Sequence, residues 1–131
     1  MEPLNQQILD CIKQSEPFAV ATILTHKGST PRTSGSKMIV LKDQTIYGTI
    51  GGGLVEATVM DACLELIDKN QSRIKEFSLN RELKDGLDMV CGGNLIVLME
   101  VFIPDSGLVN IFKALVNLEK EGKKGFLVSK I

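Results

Sequence analysis

Three short stretches hold the residue types that could do chemistry. The first is Tyr47-Gly48-Thr49-Ile50-Gly51-Gly52-Gly53-Leu54-Val55-Glu56. Consecutive glycines reach positive φ and leave room for a ligand to touch the main chain. Here they stand where a strand hands over to a helix, whose first turn has unpaired N–H groups and the positive end of the macrodipole. That arrangement holds phosphates in many proteins, so Gly51, Gly52 and Gly53 are candidate binding residues. Glu56 starts the apolar face of the helix, followed at successive turns by Met60, Cys63 and Ile67. Two readings stand side by side: an acid complementing the helix N-terminus, or a carboxylate aimed into a ligand pocket.

The second stretch is Gly28-Ser29-Thr30-Pro31-Arg32-Thr33-Ser34-Gly35-Ser36-Lys37. It is not a Walker loop: the interval between its glycines is too long, Ser36 separates Gly35 from Lys37, and Met38–Leu41 reads as a strand rather than a helix. What remains is a hydroxyl-rich loop including Ser29, with a planar fork at Arg32 and a point charge at Lys37. Both cations suit phosphate; a solvated surface loop is the competing reading. The third stretch is Asp88-Met89-Val90-Cys91-Gly92-Gly93-Asn94. Gly92 and Gly93 free backbone N–H groups to face an anion, and such surroundings lower the pKa of a thiol. Alternatively, Cys91 is a small residue in a tight turn. Cys11 and Cys63 fall on apolar helical faces and read as core. His26, the one histidine, lacks a companion cluster for a metal and reads as a solvated loop residue. Glu100, inside an apolar run, belongs at an exposed end or in a hydrogen-bonded site.

The elements that must position these residues follow from periodicity. Pro3–Gln14 reads as a helix, Phe18–Thr25 and Met38–Leu41 as strands, and Lys42–Thr49 as a short strand entered from a turn at Asp43-Gln44. Leu54–Lys69 is helical, with Val55, Val59, Ala62 and Leu66 inward and Thr58, Asp61, Glu65 and Lys69 outward. Arg73–Leu79 alternates like a strand. Leu95–Ile103 is a near-continuous apolar run, expected to be buried on both faces with helices on both sides. Pro104-Asp105-Ser106 opens a last helix capped by Asp105 or Ser106, its buried face made of Leu108, Ile111, Phe112, Leu115 and Leu118. Phe126–Ser129 begins another strand, and the end at Ile131 reads as a truncation or an unusually short product. The expected fold is α/β (or α+β): a mixed sheet with about three helices in one domain over 1–131, its core at 8–103 and a helix and nascent strand over 105–131.

Composition narrows the class. With 131 residues, 44% hydrophobic and 24% charged, the chain can bury a core. A net charge of −1, 5% aromatic residues and no Trp argue against nucleic-acid binding. No signal peptide or membrane-length apolar run is seen, and three cysteines at unrelated spacings suggest neither a disulfide framework nor a zinc site. The expectation is a cytoplasmic protein without nucleic-acid or membrane partners.

Taken together, Gly28-Ser29-Thr30-Pro31-Arg32, Gly35-Ser36-Lys37-Met38, Gly48-Thr49-Ile50-Gly51-Gly52-Gly53 with Glu56, and Cys91-Gly92-Gly93 resemble the N-terminal domain of the XdhC/CoxI family over roughly Ile8 to Ile103. The resemblance implies an accessory protein, not an enzyme, for molybdenum hydroxylases such as xanthine dehydrogenase. It would bind the molybdenum cofactor (molybdopterin) as cargo, guard it while a cysteine desulfurase installs the sulfido ligand, and deliver it to the apo-enzyme; a homodimer is expected. Ser29, Arg32, Lys37, Gly51, Gly52, Gly53, Glu56, Cys91, Gly92 and Gly93 would line the site, with Cys91 a molybdenum contact. The chain departs from the family pattern at Asp88, where a glycine is usual, and at Val101, often proline; the family's C-terminal Rossmann-like domain is expected to be lacking.

Two other functions fit fewer residues. A nucleotide-binding oxidoreductase would use Glu76 as the ribose-binding acid, but the turn lacks the fingerprint's third glycine. A dimeric interaction module would make the glycine loops architectural. The cofactor reading requires the glycine turn, the Arg32 segment and Cys91 to meet around one cavity.

Overall fold

The structure, a computed structural model, describes residues 3–27, 35–78 and 94–130. In chain order these form α1 (Leu4–Lys13), β1 (Phe18–Lys27), β2 (Lys37–Leu41), β3 (Ile46–Gly48), α2 (Gly53–Lys69), β4 (Arg73–Ser78), β5 (Asn94–Phe102) and α3 (Ser106–Lys120). The strands make one sheet in the order β3-β2-β1-β5-β4. The three helices and the α/β class are as the sequence reads. Every described pairing is antiparallel, however, where a mixed sheet was expected. The apolar run in β5 reports burial on two faces, which an antiparallel strand attains when helices cover both sides.

Alternation along β1 assigns the faces. Ala19, Ala21 and Ile23 join Met38, Val40, Val97 and Met99 beneath α2, which contributes Val55, Val59, Cys63, Leu66 and Ile67. The two alanines leave space for the helix to lie close. Phe18 and Val20 face the other way, with Ile39, against Ile8 and Ile12 of α1 and Phe112 and Val116 of α3. Burying such side chains contributes about 1.5–3 kcal/mol each. Phe102 links this second core, its ring 5.5 Å from Phe18 and edge-on to Phe112 at 5.8 Å.

α3 begins as expected: Asp105 caps it, accepting the Leu108 N–H at 2.7 Å. Its buried stripe is rotated from the expected one. Phe112 and Val116 are buried, while Ile111 is largely exposed. The helix carries apolar residues around most of its circumference, and contact with α1 and Phe102 selects among them. The strand expected at Phe126–Ser129 is absent: this segment pairs with nothing described, and Phe126 is 99% exposed. His26 belongs to β1, opposite Leu95, rather than to a loop.

Candidate functional site

The turn between β3 and α2 is built from backbone that side chains rarely tolerate. Gly52 has φ 75° and ψ 176°, a region essentially reserved for glycine. Gly48 has φ 79°, and a Cβ there would stand 2.6 Å from the Lys37 carbonyl oxygen of the neighbouring strand. These glycines turn the chain out of the sheet edge and onto its α2 face.

The amides of that turn already have an anion. The Glu56 carboxylate accepts the Gly52 N–H at 2.7 Å and the Ile50 N–H at 3.2 Å. The Thr49 hydroxyl donates to the same oxygen, and the Gly51 N–H donates to that hydroxyl at 3.3 Å. Burial pushes the carboxyl pKa up, but the bonds from Thr49, Gly52, Ile50 and Gly51 outweigh it and hold the group below its ordinary value. Of the two readings of Glu56, this is the helix-start one: the acid folds back over the first turn, as in a capping box. The Thr49 hydroxyl is a member of this hydrogen-bonded turn that reasoning from the sequence missed. The available signal was spacing, since Glu56 lies four residues after Gly52 and within reach of its N–H.

Topology decides what else can meet this turn. With all neighbours antiparallel, β1, β3 and β4 run one way and β2 and β5 the other. The ends of β1, β3 and β4 and the starts of β2 and β5 therefore share one end of the sheet. Lys27 pairs with Asn94, Ser78 also pairs with Asn94, and Met38 pairs with Gly48. Those residues flank the segment containing Arg32, the segment containing Cys91, and the glycine turn. Ser29, Arg32, Cys91, Gly92 and Gly93 themselves lie outside the described residues. Near this end β1 has a bulge, where register shifts between Ile23 and Thr25; bulges of this kind often sit beside functional sites.

Lys37, at the start of β2, donates from Nζ to the Thr22 hydroxyl at 3.0 Å. Thr22 is buried, and its register places the pair on the sheet face that α1 and α3 cover, opposite α2. Lys37 and Glu56 thus approach the shared end from different faces. No described carboxylate forms a salt bridge with Lys37. Glu100 is half-buried on the same face as Val20, its partner in register. Cys11 and Cys63 are core, as expected; burial pushes the Cys63 thiol up to about 12, and burial with the Asp10 charge raises that of Cys11.

Glu76 cannot serve a dinucleotide at the glycine turn. It lies on β4, while the turn leaves β3, and the two strands form opposite edges of the sheet. Four strand spacings separate them by about 19 Å. The β3–α2–β4 connection crosses the whole described sheet, and among the described residues no two neighbouring strands are parallel, as a dinucleotide-binding unit requires. Among the described residues, no helix is long and apolar enough to cross a membrane.

Residues 11–78, just over half of the chain, match the XdhC and CoxI family, and the chain belongs to that family. It is similar to the uncharacterised protein YqeB of Escherichia coli (strain K12): 38% identical over 89 residues, which cover 68% of this chain and 16% of that protein. Its fold is similar to a Bacillus halodurans protein whose crystal structure is described as that of a xanthine dehydrogenase. The TM-score is 0.72 at 24% identity, over 90% of this chain and 35% of the other. The chain therefore spans well under half the length of either relative.

Proposed function

We propose that this chain is an accessory factor for molybdenum hydroxylases: it binds the molybdenum cofactor as cargo, shelters it during sulfuration by a cysteine desulfurase, and passes it to a xanthine dehydrogenase-type apo-enzyme. It acts as a carrier, not a catalyst, in the cytoplasm and as a homodimer. One observation carries the reading. The strand ends flanking the Arg32 segment, the Cys91 segment and the glycine turn all lie at one end of the sheet. Family membership gives the convergence its chemical meaning.

The turn's amides suit a phosphate, but they hold Glu56. The charge for the cofactor's terminal phosphate therefore comes from Arg32, as a bidentate fork, and from Lys37. Ser29 adds a hydroxyl, and Gly51, Gly52 and Gly53 offer a surface without side chains for the pterin. Cys91 is the soft thiolate for molybdenum, and Gly92 and Gly93 complete the set.

The test is reconstitution of the purified chain with molybdenum cofactor, followed by absorbance and pterin fluorescence. Saturable binding that weakens in Arg32→Ala and Cys91→Ala is expected. Absence of saturable binding by the wild type, or variants that bind as well as it does, would refute the proposal.

A further inference from the structure

At the opposite edge of the sheet from the glycine turn, β4 has, among the described residues, a strand neighbour on one side alone, β5. Among the described residues nothing pairs with its outer side. A groove of about 270 Å³ lies between β4 and the C-terminal turns of α2, floored by Leu66 and Met99 and rimmed by Lys69, Arg73 and Lys75. Glu65 bridges Lys69 at 2.8 Å and its charge also acts on Lys75 and Arg73, but no described carboxylate forms a salt bridge with either of those two. The Lys75 ammonium lies 5.2 Å from the centre of the Phe77 ring, which packs into the core beneath α2. Alternation gives β4 two different sides. Arg73 and Lys75 share the α2 side with Phe77, while Ile74 stands on the other side, 52% exposed, beside Glu76.

We propose that β4 receives an added strand from a separate protein: an extended segment in which acidic and apolar residues alternate. Its acids meet Arg73 and Lys75 over the groove, and its apolar residues cover Ile74. In strand addition the main-chain bonds supply affinity and the alternate side chains supply selectivity. Charge complementarity rules against the other occupants. An antiparallel pairing of β4 with a second copy would set Arg73 against Lys75 when centred on residue 74, and Lys75 against its own counterpart when centred on residue 75; like charges directly opposite are destabilising. Among the described residues, the long segment outside helices and strands, residues 123–130, carries Lys123, Lys124 and Lys130 and no acid. Lysine and arginine on an edge strand repel unwanted pairing; the same charges select an acidic strand.

The test titrates short peptides of alternating Glu and Val, and a Lys–Val counterpart, into the isotope-labelled full chain while amide resonances are followed. The Glu–Val peptide is expected to bind saturably and to move the resonances of Arg73–Ser78, and the Lys–Val peptide is not. The double variant Arg73→Glu/Lys75→Glu should lose about tenfold in affinity or more for the first peptide and gain affinity for the second. A Glu–Val peptide methylated on alternate backbone nitrogens should not bind. The proposal is overturned by absence of saturable binding below about 1 mM, by shifts remote from β4, or by equal binding of the methylated peptide. It is likewise overturned if inorganic phosphate alone reproduces the shifts, marking a small-anion pocket, or if the chain self-associates through β4.

Discussion

The Glu56 carboxylate and the Gly52 amide, 2.7 Å apart, make the glycine turn a filled anion nest. A turn rich in glycine at a helix start has the geometry to grip a phosphate. Here the grip closes on a tethered carboxylate instead, which also takes the Ile50 N–H and the Thr49 hydroxyl. A tethered group competes at an effective concentration that free anions seldom match. The glycines thus fix the shape of this end of the molecule before any ligand arrives.

The clamp should be visible in the pH dependence of stability. The Glu56 carboxyl is held below its ordinary value of 4.5. Its contribution is therefore fully present above that value and is lost as pH falls through the depressed folded-state pKa. Glu56→Gln retains an acceptor but not the charge. It should cost about 1 kcal/mol at neutral pH, with the gap to wild type closing in acid. Urea unfolding of both proteins across the acid range checks this; a gap independent of pH would count against the charged clamp.

Two glycine substitutions should fail for different reasons. Gly52→Ala adds a methyl that meets nothing within 4 Å, so its cost is purely conformational, about 1–3 kcal/mol. Gly48→Ala suffers the same kind of strain at φ 79° and also drives a Cβ to 2.6 Å from the Lys37 carbonyl oxygen, which must open the β2–β3 pairing. Thermal unfolding should rank wild type above Gly52→Ala and Gly52→Ala above Gly48→Ala. The reverse order would mean that the edge strand yields more easily than the turn.

Much of the fold was legible because periodicity reports which side of an element is buried. The bounds of α2 and β4 came within one residue, and the helix-covered apolar β5 came from its unbroken run. Strand direction was not legible, since two-sided burial looks alike in parallel and antiparallel sheets. Nor was the stripe of α3, where Leu108, Ile111, Phe112, Leu115, Val116 and Leu118 offer several faces and the partners choose. Phe126–Ser129 has strand propensity, but propensity without a neighbouring strand yields no strand. At the glycine turn, residue types marked Glu56 and the glycines as candidates; their mutual engagement depended on a side chain reaching back through the turn.

Thiol chemistry should separate the three cysteines. Cys11 and Cys63 are buried and their pKa values raised, that of Cys63 to about 12. The thiolate is the reactive form, so neither should react with a disulfide reagent in the folded protein near neutral pH. On the proposed function, Cys91 reacts rapidly. One fast equivalent is expected, absent from Cys91→Ala, with two more released by denaturant. A fast phase that survives in Cys91→Ala would place an accessible thiol in what the structure makes core.

Removing the tethered anion should uncover the nest. In Glu56→Ala the Ile50 and Gly52 amides lose their acceptor, and the helix start keeps its positive end. Inorganic phosphate should then raise the melting temperature of Glu56→Ala more than that of the wild type, because a ligand stabilises the state it binds in proportion to occupancy. Cofactor binding divides the possibilities further. If the terminal phosphate rests on Arg32 and Lys37, Glu56→Ala leaves cofactor affinity unchanged or tighter while Arg32→Ala weakens it. If affinity instead collapses in Glu56→Ala with the fold intact, the carboxylate itself meets the cargo. The turn would then have to release Glu56 during loading.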